Sequence, residues 1–188
     1  GKIRNFNISV TVTDEFMRKV EESPEELWQC TFKGEKMKPR KVLRHPNEGV
    51  AGTEPVDITV KELFDQLVEN AWLNGEPGIA FIDLVNRTNP LPGLGPITAS
   101  NPCGEQFLHA YDDCNLGAIN LALFVKEKEI DWERLRFVAA TATRILDNVI
   151  DTFDFPVQEV NDLARKNRRV GLGVMGFGDM LFQLGVPY

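Results

Sequence analysis

Six residues, 101–106, constrain the fold of this chain more than any other stretch; they read Asn-Pro-Cys-Gly-Glu-Gln. Pro102 fixes its own φ angle and has no N–H to donate, whereas Gly104 can adopt backbone conformations that other residues avoid. Neither a helix nor a central strand tolerates such a run. The segment therefore predicts a sharp projecting turn.

The turn carries a thiol, a carboxylate and a carboxamide within five positions. Asn101, Cys103 and Glu105 alternate in sequence, so they share one side if the segment is locally extended. A lone cysteine is most often a small buried hydrophobe. That interpretation is weak for Cys103, because its neighbours are polar and turn-forming. A second thiol, Cys114, follows eleven residues later.

Charge and cysteine usage exclude several function classes. The 188 residues carry a formal charge of −7, which gives no general electrostatic basis for nucleic-acid binding. No apolar run approaches the roughly 18 residues of a membrane span, and no signal peptide opens the chain. Three cysteines without paired spacing fit a reducing compartment, so we expect a cytoplasmic protein. Cys30 is assigned no role.

Hydrophobic periodicity predicts alternating strands and helices, and hence an α/β fold with parallel pairing. Strands are predicted at 6–12, 78–83 and 114–124, and helices at 15–21, 57–74, 131–152, 157–166 and 178–184. Segment 78–83 is continuously apolar, as in a strand buried on both faces of a parallel sheet. Asp83 ends this strand, where α/β folds collect functional groups. The strand-like start and the helical end indicate a piece of a larger protein.

Two segments need separate interpretation. Residues 33–55 are rich in Lys, Arg, Gly and Pro and predict an irregular surface excursion, with a short strand at 28–32 as the less favoured alternative. Residues 171–176 match the dinucleotide fingerprint G-x-G-x-x-G. The fingerprint requires a buried strand before its first glycine, whereas a basic helix end stands there. Close packing of a helix against small residues is the better explanation.

Residues 101–106, followed by Cys-Asn-Leu-Gly-Ala-Ile-Asn-Leu at 114–121, resemble the catalytic core of ribonucleotide reductases. The eleven-residue cysteine spacing is similar to class II, the adenosylcobalamin-dependent type. Supporting similarity covers 4–10, 78–83, 146–151 and 169–177. The resemblance implies that residues 1–188 form a central segment of a ten-stranded α/β barrel. The active cysteine would lie on a finger loop inside that barrel.

The resemblance also implies a role for each polar residue of the turn. Cys103 would become a thiyl radical that removes the ribose 3′-hydrogen, and Glu105 would accept the 3′-hydroxyl proton as general base. Asn101 would hydrogen-bond the ribose hydroxyls, with Ser100 also in the substrate-binding set. Cys114 would be one thiol of the pair that reduces the sugar and ends as a disulfide. Its partner lies upstream in the family, and Cys30 is not cast as that partner.

The same resemblance implies the cofactors and the partners of the protein. The expected cofactors are adenosylcobalamin and a redox-active disulfide; no cobalamin contact and no metal ligand is assigned. The expected partners are a ribonucleoside di- or triphosphate, dNTP and ATP effectors, a thioredoxin-like reductant, the remainder of the barrel and a second copy in a homodimer. Residues 2–4 would touch the relay from effector to substrate base. The isolated 188-residue chain is expected to have no reductase activity.

Three alternatives stay open at this point. The first is a class I large subunit, served by a separate radical-generating subunit; the short cysteine spacing argues against it. The second is a non-catalytic fragment whose site is complete only with other polypeptides. The third is a structural zinc module that uses Cys103, His109 and Cys114, although it lacks Cys-x-x-Cys pairs.

Overall fold

A computed structural model describes residues 6–45 and 49–188 of the chain. The chain divides into two compact units, Gly1–Phe107 and Leu108–Tyr188. The residues expected near the effector relay, 2–4, lie outside the described part. Within the described residues, none of the helices combines the length and the apolar character needed to cross a membrane.

In its described residues the first unit contains eight strands, the last of which crosses the boundary after Phe107, and three α-helices. They are β1 (Ser9–Val12), α1 (Asp14–Glu22), β2 (Cys30–Phe32), β3 (Glu35–Met37), β4 (Arg40–His45), β5 (Gly49–Pro55), α2 (Val60–Asn74), β6 (Gly78–Phe81), α3 (Ile82–Arg87), β7 (Ala99–Ser100) and β8 (Phe107–Leu108). A short 3₁₀ turn, Pro92–Leu94, lies between α3 and β7.

The second unit contains four strands and three helices. They are β9 (Asn115–Asn120), β10 (Val125–Lys126), β11 (Glu129–Ile130), α4 (Trp132–Thr152), α5 (Gln158–Asn167), β12 (Val170–Met175) and α6 (Phe177–Leu184). The predicted helices are thus all present, each within one to three residues of its expected bounds.

Capping residues start α1 and α2, and one face of β1 lies in the core of the first unit. The Thr13 hydroxyl accepts from the backbone N–H of Phe16 at the start of α1, and Thr59 with Glu62 forms a reciprocal capping box at the start of α2. Val12 and Phe16 are buried against the base of α2. The strand therefore has one apolar face in the core and one polar face outside it, as its alternation predicts.

The prediction for 33–55 is correct in exposure and wrong in regularity. Described residues of this stretch are almost all exposed, yet β2 pairs with β3 and β4 pairs with β5, each antiparallel. Lys33 and Gly34 both have positive φ, which is the geometry of a tight two-residue hairpin turn. The glycines of this stretch contributed to the prediction of irregular structure, whereas Gly34 forms part of the turn that connects β2 to β3.

The strand at 78–83 is shorter and less buried than predicted. β6 ends at Phe81, and Asp83 lies in the first turn of α3, where its carboxylate accepts from the backbone N–H of Asp14 at 2.8 Å. Only Ala80 of this strand is buried. Among the described strands β6 pairs with β1 alone, in parallel, so no sheet neighbour covers its other edge.

A parallel pair, β9 with β12, is the centre of the second unit. The predicted strand 114–124 stops at Asn120, because the Asn120 side chain accepts from the backbone N–H of Ala122 and starts a 3₁₀ turn. The glycine run 171–176 was not predicted as a strand, yet residues 170–175 form β12. The atoms nearest to its glycines belong to Cys114, to β9 and to the turn after β9.

Parallel pairing in both units confirms the α/β class. The described strands form six two-stranded sheets, and among them no sheet closes into a barrel. The ten-stranded barrel is therefore not visible as a closed structure in the described residues.

Candidate active site

The loop that leads into the 101–106 turn is fastened to α3. The Asn86 side chain donates to the carbonyl of Ile97 at 3.0 Å and accepts from its N–H at 2.8 Å. Asn89 donates to the carbonyl of Gly95 at 3.1 Å. Ile97 is 4% exposed, so a buried side chain and two amides hold this proline-rich segment. These contacts fix the position of the segment that precedes the turn.

The turn itself reverses the chain within four residues. The backbone N–H of Gly104 donates to the carbonyl of Asn101 at 3.1 Å, with Pro102 at the second position, where its fixed φ suits a turn. Gly104 has a φ of +82°, a conformation that costs other residues about 1–2 kcal/mol. The Ser100 hydroxyl donates to the same Asn101 carbonyl at 3.0 Å. The projecting turn predicted from the sequence is confirmed.

Reversal of the chain, rather than extension, brings the carboxamide and the carboxylate together. The Asn101 Nδ2 atom donates to Glu105 Oε1 at 2.6 Å, and Asn101 Oδ1 accepts from the backbone N–H of Gln106 at 3.0 Å. Both ends of the Asn101 amide are therefore used, which fixes its orientation. The condition under which the sequence placed the three side chains on one side, a locally extended segment, is not met, because Pro102 and Gly104 favour a turn.

The thiol and the carboxylate of the turn are accessible. Cys103 occupies the third position of the reversal and is exposed, and Glu105 is also exposed. Ser100 and Asn101 are partly buried below them. The turn therefore presents a thiol and a carboxylate to solvent, and Asn101 holds the carboxylate in place.

A cleft of about 280 Å³ lies beside the turn in the first unit. Ser100, Asn101 and Pro102 form one side, and the exposed polar side chains of β1 and its approach form another; these are Asn7, Ser9 and Thr11. Its volume is close to the lower end of small-molecule sites, about 300 Å³. The strand was predicted at 6–12, but its polar side chains were not assigned to the site. The signal was its alternation of short polar residues.

Cys114 lies in the second unit, directly before β9, and is partly buried. Its sulfur is 3.6 Å from the carbonyl oxygen of Asn115. The Asn115 side chain donates to the carbonyl of Leu146 in α4 at 3.1 Å. The start of the strand that carries the thiol is thus attached to the long helix.

A buried polar cluster, absent from the sequence predictions, precedes this thiol. The Asp112 side chain is fully inaccessible and accepts from Arg169 Nε at 2.8 Å and from Asn167 Nδ2 at 3.1 Å. His109, 3% exposed, places Nδ1 at 3.6 Å from the same carboxylate. Burial, and secondarily the charge of Asp112, raises the pKa of the neighbouring Asp113. The pairing of Arg169 with Asp112 is hard to infer from the sequence, because the two residues are 57 positions apart.

The geometry gives the zinc alternative no support. Among residues 6–45 and 49–188, no group of three His, Cys, Asp or Glu side chains could hold a metal ion. His109 lies beside Asp112 and Arg169 instead. The dinucleotide alternative also lacks its structural context, because Gly171 and Gly173 lie inside β12 rather than in a loop after a strand.

Comparison with known protein families identifies the family of this chain. The profile of the family described as "Ribonucleotide reductase, barrel domain" matches residues 1–188. The chain belongs to this family. The resemblance drawn from 101–106 and 114–121 is therefore confirmed over the whole chain.

Individual ribonucleotide reductases show the same relationship. The chain is 41% identical to the "Vitamin B12-dependent ribonucleoside-diphosphate reductase" of Thermoplasma acidophilum, over 99% of its own length and 22% of that relative. It is 41% identical to the protein of the same name from Mycobacterium tuberculosis (strain CDC 1551 / Oshkosh), over 100% of its length and 25% of that relative. It is 35% identical to "Ribonucleoside-diphosphate reductase subunit alpha" of Chlamydia pneumoniae over 70% of its length and 13% of that relative. The chain thus spans about a quarter of the first two relatives.

Proposed function

We propose that this segment carries the radical site of a class II ribonucleotide reductase, which reduces ribonucleoside di- or triphosphates to 2′-deoxyribonucleotides for DNA synthesis. The observation that carries the proposal is the 2.6 Å hydrogen bond from Asn101 to Glu105 across the turn that bears Cys103. It supports a site where thiol, general base and carboxamide act on one sugar. The names of the B12-dependent relatives support the class.

Each group of the turn has a defined task in this proposal. Cys103, as a thiyl radical, removes the 3′-hydrogen atom of the ribose. Glu105 accepts the 3′-hydroxyl proton, which a carboxylate does well when it is held in position. Asn101 holds that carboxylate and donates to the ribose hydroxyls, and Ser100 lies beside it in the substrate cleft. The cleft formed with β1 would take the nucleoside.

The exposed thiol at the tip of the turn suits the cofactor that the names of these relatives suggest. Adenosylcobalamin, when bound, supplies the radical that removes the hydrogen atom from the Cys103 thiol. Cys103 is the residue of this chain that would face the cofactor, since it is exposed and lies at the tip of a fastened turn. The residues of this segment position the thiol, and the complete protein would exclude water from it.

Reduction of the sugar requires two electrons, which we assign to a pair of thiols that includes Cys114. Two thiols and one ribonucleotide give a disulfide, a deoxyribonucleotide and one water, the oxygen of which comes from the 2′-hydroxyl. A dithiol protein of the thioredoxin type then reduces the disulfide by thiol–disulfide exchange. A reducing compartment such as the cytoplasm suits this chemistry.

The complete protein would supply what surrounds the turn. We infer a ten-stranded α/β barrel with the 101–106 turn as a finger loop inside it, since both units contain the parallel strand pairs that such a barrel needs. The remainder of the barrel, dNTP and ATP effectors and a homodimer partner belong to this proposal.

A class I large subunit is the second candidate. The observation that favours it is the relative named "subunit alpha", at 35% identity. Its radical would come from a second protein. Deoxynucleotide formation by the full-length enzyme with adenosylcobalamin and no second subunit would decide for class II, and a strict need for a second subunit would decide for class I.

Substitution of Cys114 by Ser should separate the radical step from the supply of electrons. We expect Cys114→Ser in the full-length enzyme to retain cleavage of the 3′ C–H bond, measured with 3′-tritiated substrate. Multiple turnover with a thioredoxin-like reductant should fall to background, because no disulfide can form with an alcohol. If the variant cycles normally on that reductant, Cys114 has a structural role only.

Residues 1–188 alone should form no deoxynucleotide. Cys103 and Glu105 are exposed in this segment, whereas a thiyl radical needs walls that exclude water and oxygen. Misplacement of a reactant by about 1 Å can cost roughly a hundredfold in rate. The assay contains adenosylcobalamin, a dithiol and each ribonucleotide, first with the segment alone and then with the flanking polypeptides added. Turnover by the segment alone would contradict this prediction, and rescue by the flanking pieces would identify one part of a split site.

A further inference from the structure

Gly171 lies against the thiol of Cys114. β12 runs parallel to β9, with Gly171 paired to Leu116 and Val170 paired to Asn115. The residue before Asn115 is Cys114, so the start of β12 passes beside this cysteine. The structure therefore places a residue without a side chain next to the proposed redox thiol.

The sulfur occupies the space that a side chain at position 171 would need. A Cβ atom built on Gly171 would lie 2.9 Å from Cys114 Sγ, 2.4 Å from Leu116 Cδ2 and 3.5 Å from the carbonyl oxygen of Asn115. Ordinary carbon contacts are about 3.5–4.0 Å. A methyl group at this position therefore has to displace both side chains.

The two side chains differ in how easily they can move. Leu116 is 60% exposed and can turn its end into water. Cys114 is partly buried and has a single side-chain torsion with three staggered positions. Displacing its sulfur therefore means changing its rotamer.

Moving β9 and β12 apart would relieve the contact between position 171 and the Cys114 sulfur only by breaking a buried ion pair. Arg169, two residues before Gly171, binds Asp112, two residues before Cys114, at 2.8 Å. Their side chains are 13% and 0% exposed. Breaking such a buried pair leaves an uncompensated buried charge and is strongly destabilising. The pair holds the two strand starts at a fixed distance.

We propose that Gly171 is a positioning residue for Cys114, which sets the rotamer of its thiol by leaving room for the sulfur between β9 and β12. The proposal rests on the assigned role of Cys114 in the redox pair. Thiol–disulfide exchange requires access to a particular sulfur along a particular direction. A methyl group at 171 turns the thiol away from this direction and slows disulfide formation, without touching the 101–106 turn.

Gly173 offers a matched control on the same strand and the same face. A Cβ atom built there meets nothing nearer than the carbonyl oxygen of Gly117, at 3.9 Å. Gly173→Ala therefore makes the same chemical change in β12 without a collision. Both variants are compared in the full-length enzyme with two readouts, which are the alkylation rate of each cysteine by peptide mass spectrometry and turnover with a thioredoxin-like reductant.

We expect Gly171→Ala to change the alkylation rate of Cys114 several-fold, to leave that of Cys103 unchanged and to lower multiple turnover by roughly a hundredfold, the cost of a misplacement of about 1 Å. Cleavage of the substrate 3′ C–H bond should persist. Gly173→Ala should stay within about twofold of the parent in each readout. Equal behaviour of the two variants would overturn the proposal.

A double variant tests whether the defect of Gly171→Ala comes from the collision with the Cys114 sulfur or from the collision with Leu116. Leu116→Ala with Gly171→Ala removes the 2.4 Å collision and keeps the one with sulfur, so the defect should remain. Recovery in the double variant would overturn the proposal, and the same comparison decides the matter if Gly171→Ala alone fails to fold.

Cys114→Ser is assayed in parallel. If it cycles normally, the proposed function of Cys114 fails; if it stops while Gly171→Ala resembles Gly173→Ala, only the positioning role fails.

Discussion

Substitution of Cys103 by Ser in the full-length enzyme should lower deoxynucleotide formation by roughly a thousandfold or more, as the loss of a single indispensable catalytic group does. Serine is nearly isosteric with cysteine, so the turn held by Pro102 and Gly104 should keep its shape. Its O–H bond, however, is too strong to give up a hydrogen atom to the same radical source. The measurement is turnover with each ribonucleotide at saturating cofactor and reductant.

A cysteine on the exposed ribbon provides the matched control. Cys30 lies in β2, and its thiol contacts only the carbonyl of Met37 among the contacts described, at 3.4 Å. Cys30→Ser should retain activity within about twofold of the parent. Cys103→Ser should also bind effector nucleotides as the parent does. Substantial residual reduction by Cys103→Ser would remove the residue from the chemistry.

The second large effect is expected at the carboxylate of the turn. Glu105→Gln should lower kcat by about 10²–10⁴, the usual contribution of a general base, with little change in KM. The Gln side chain still offers an oxygen to Asn101 Nδ2, whose hydrogen bond to Glu105 is 2.6 Å long, so the geometry is kept while the proton acceptor is lost. Steady-state kinetics on the full-length enzyme measure both constants.

Two comparisons make the Glu105 result specific. Glu54, an exposed carboxylate on β5, provides the control, and Glu54→Gln should leave kcat unchanged within about twofold. The 3′ C–H cleavage step should slow together with kcat in Glu105→Gln. An unchanged kcat in this variant would show that another group, or water, accepts the proton.

Local sequence rules were sufficient for the turn and for every described α-helix except the short α3, which was not predicted. Pro102 and Gly104 restrict their own backbones, and the capping residue Thr59 acts on atoms three positions away, so each effect can be read within a short window. The side-chain chemistry of 101–106 could be recognised for the same reason. Its geometry could not, since the turn rather than an extended segment joins Asn101 to Glu105.

Features that depend on distant partners escaped prediction. β12 was missed because its glycines have low strand propensity, and its stability comes from pairing with β9 about 55 positions away. The buried Arg169–Asp112 pair and the closeness of Gly171 to Cys114 follow from that pairing. The burial of β6 was overestimated, because an apolar run shows that a strand can be buried but does not show which neighbouring elements cover it.

Electron paramagnetic resonance of the full-length enzyme during turnover tests the central claim most directly, namely that the radical forms on the Cys103 sulfur. Samples are frozen within milliseconds of mixing with substrate, from protein made with ordinary or β-deuterated cysteine. The account predicts a signal whose hyperfine structure narrows on deuteration, which persists in Cys114→Ser and is absent in Cys103→Ser. A signal that ignores the deuterium label, or that survives in Cys103→Ser, would contradict it.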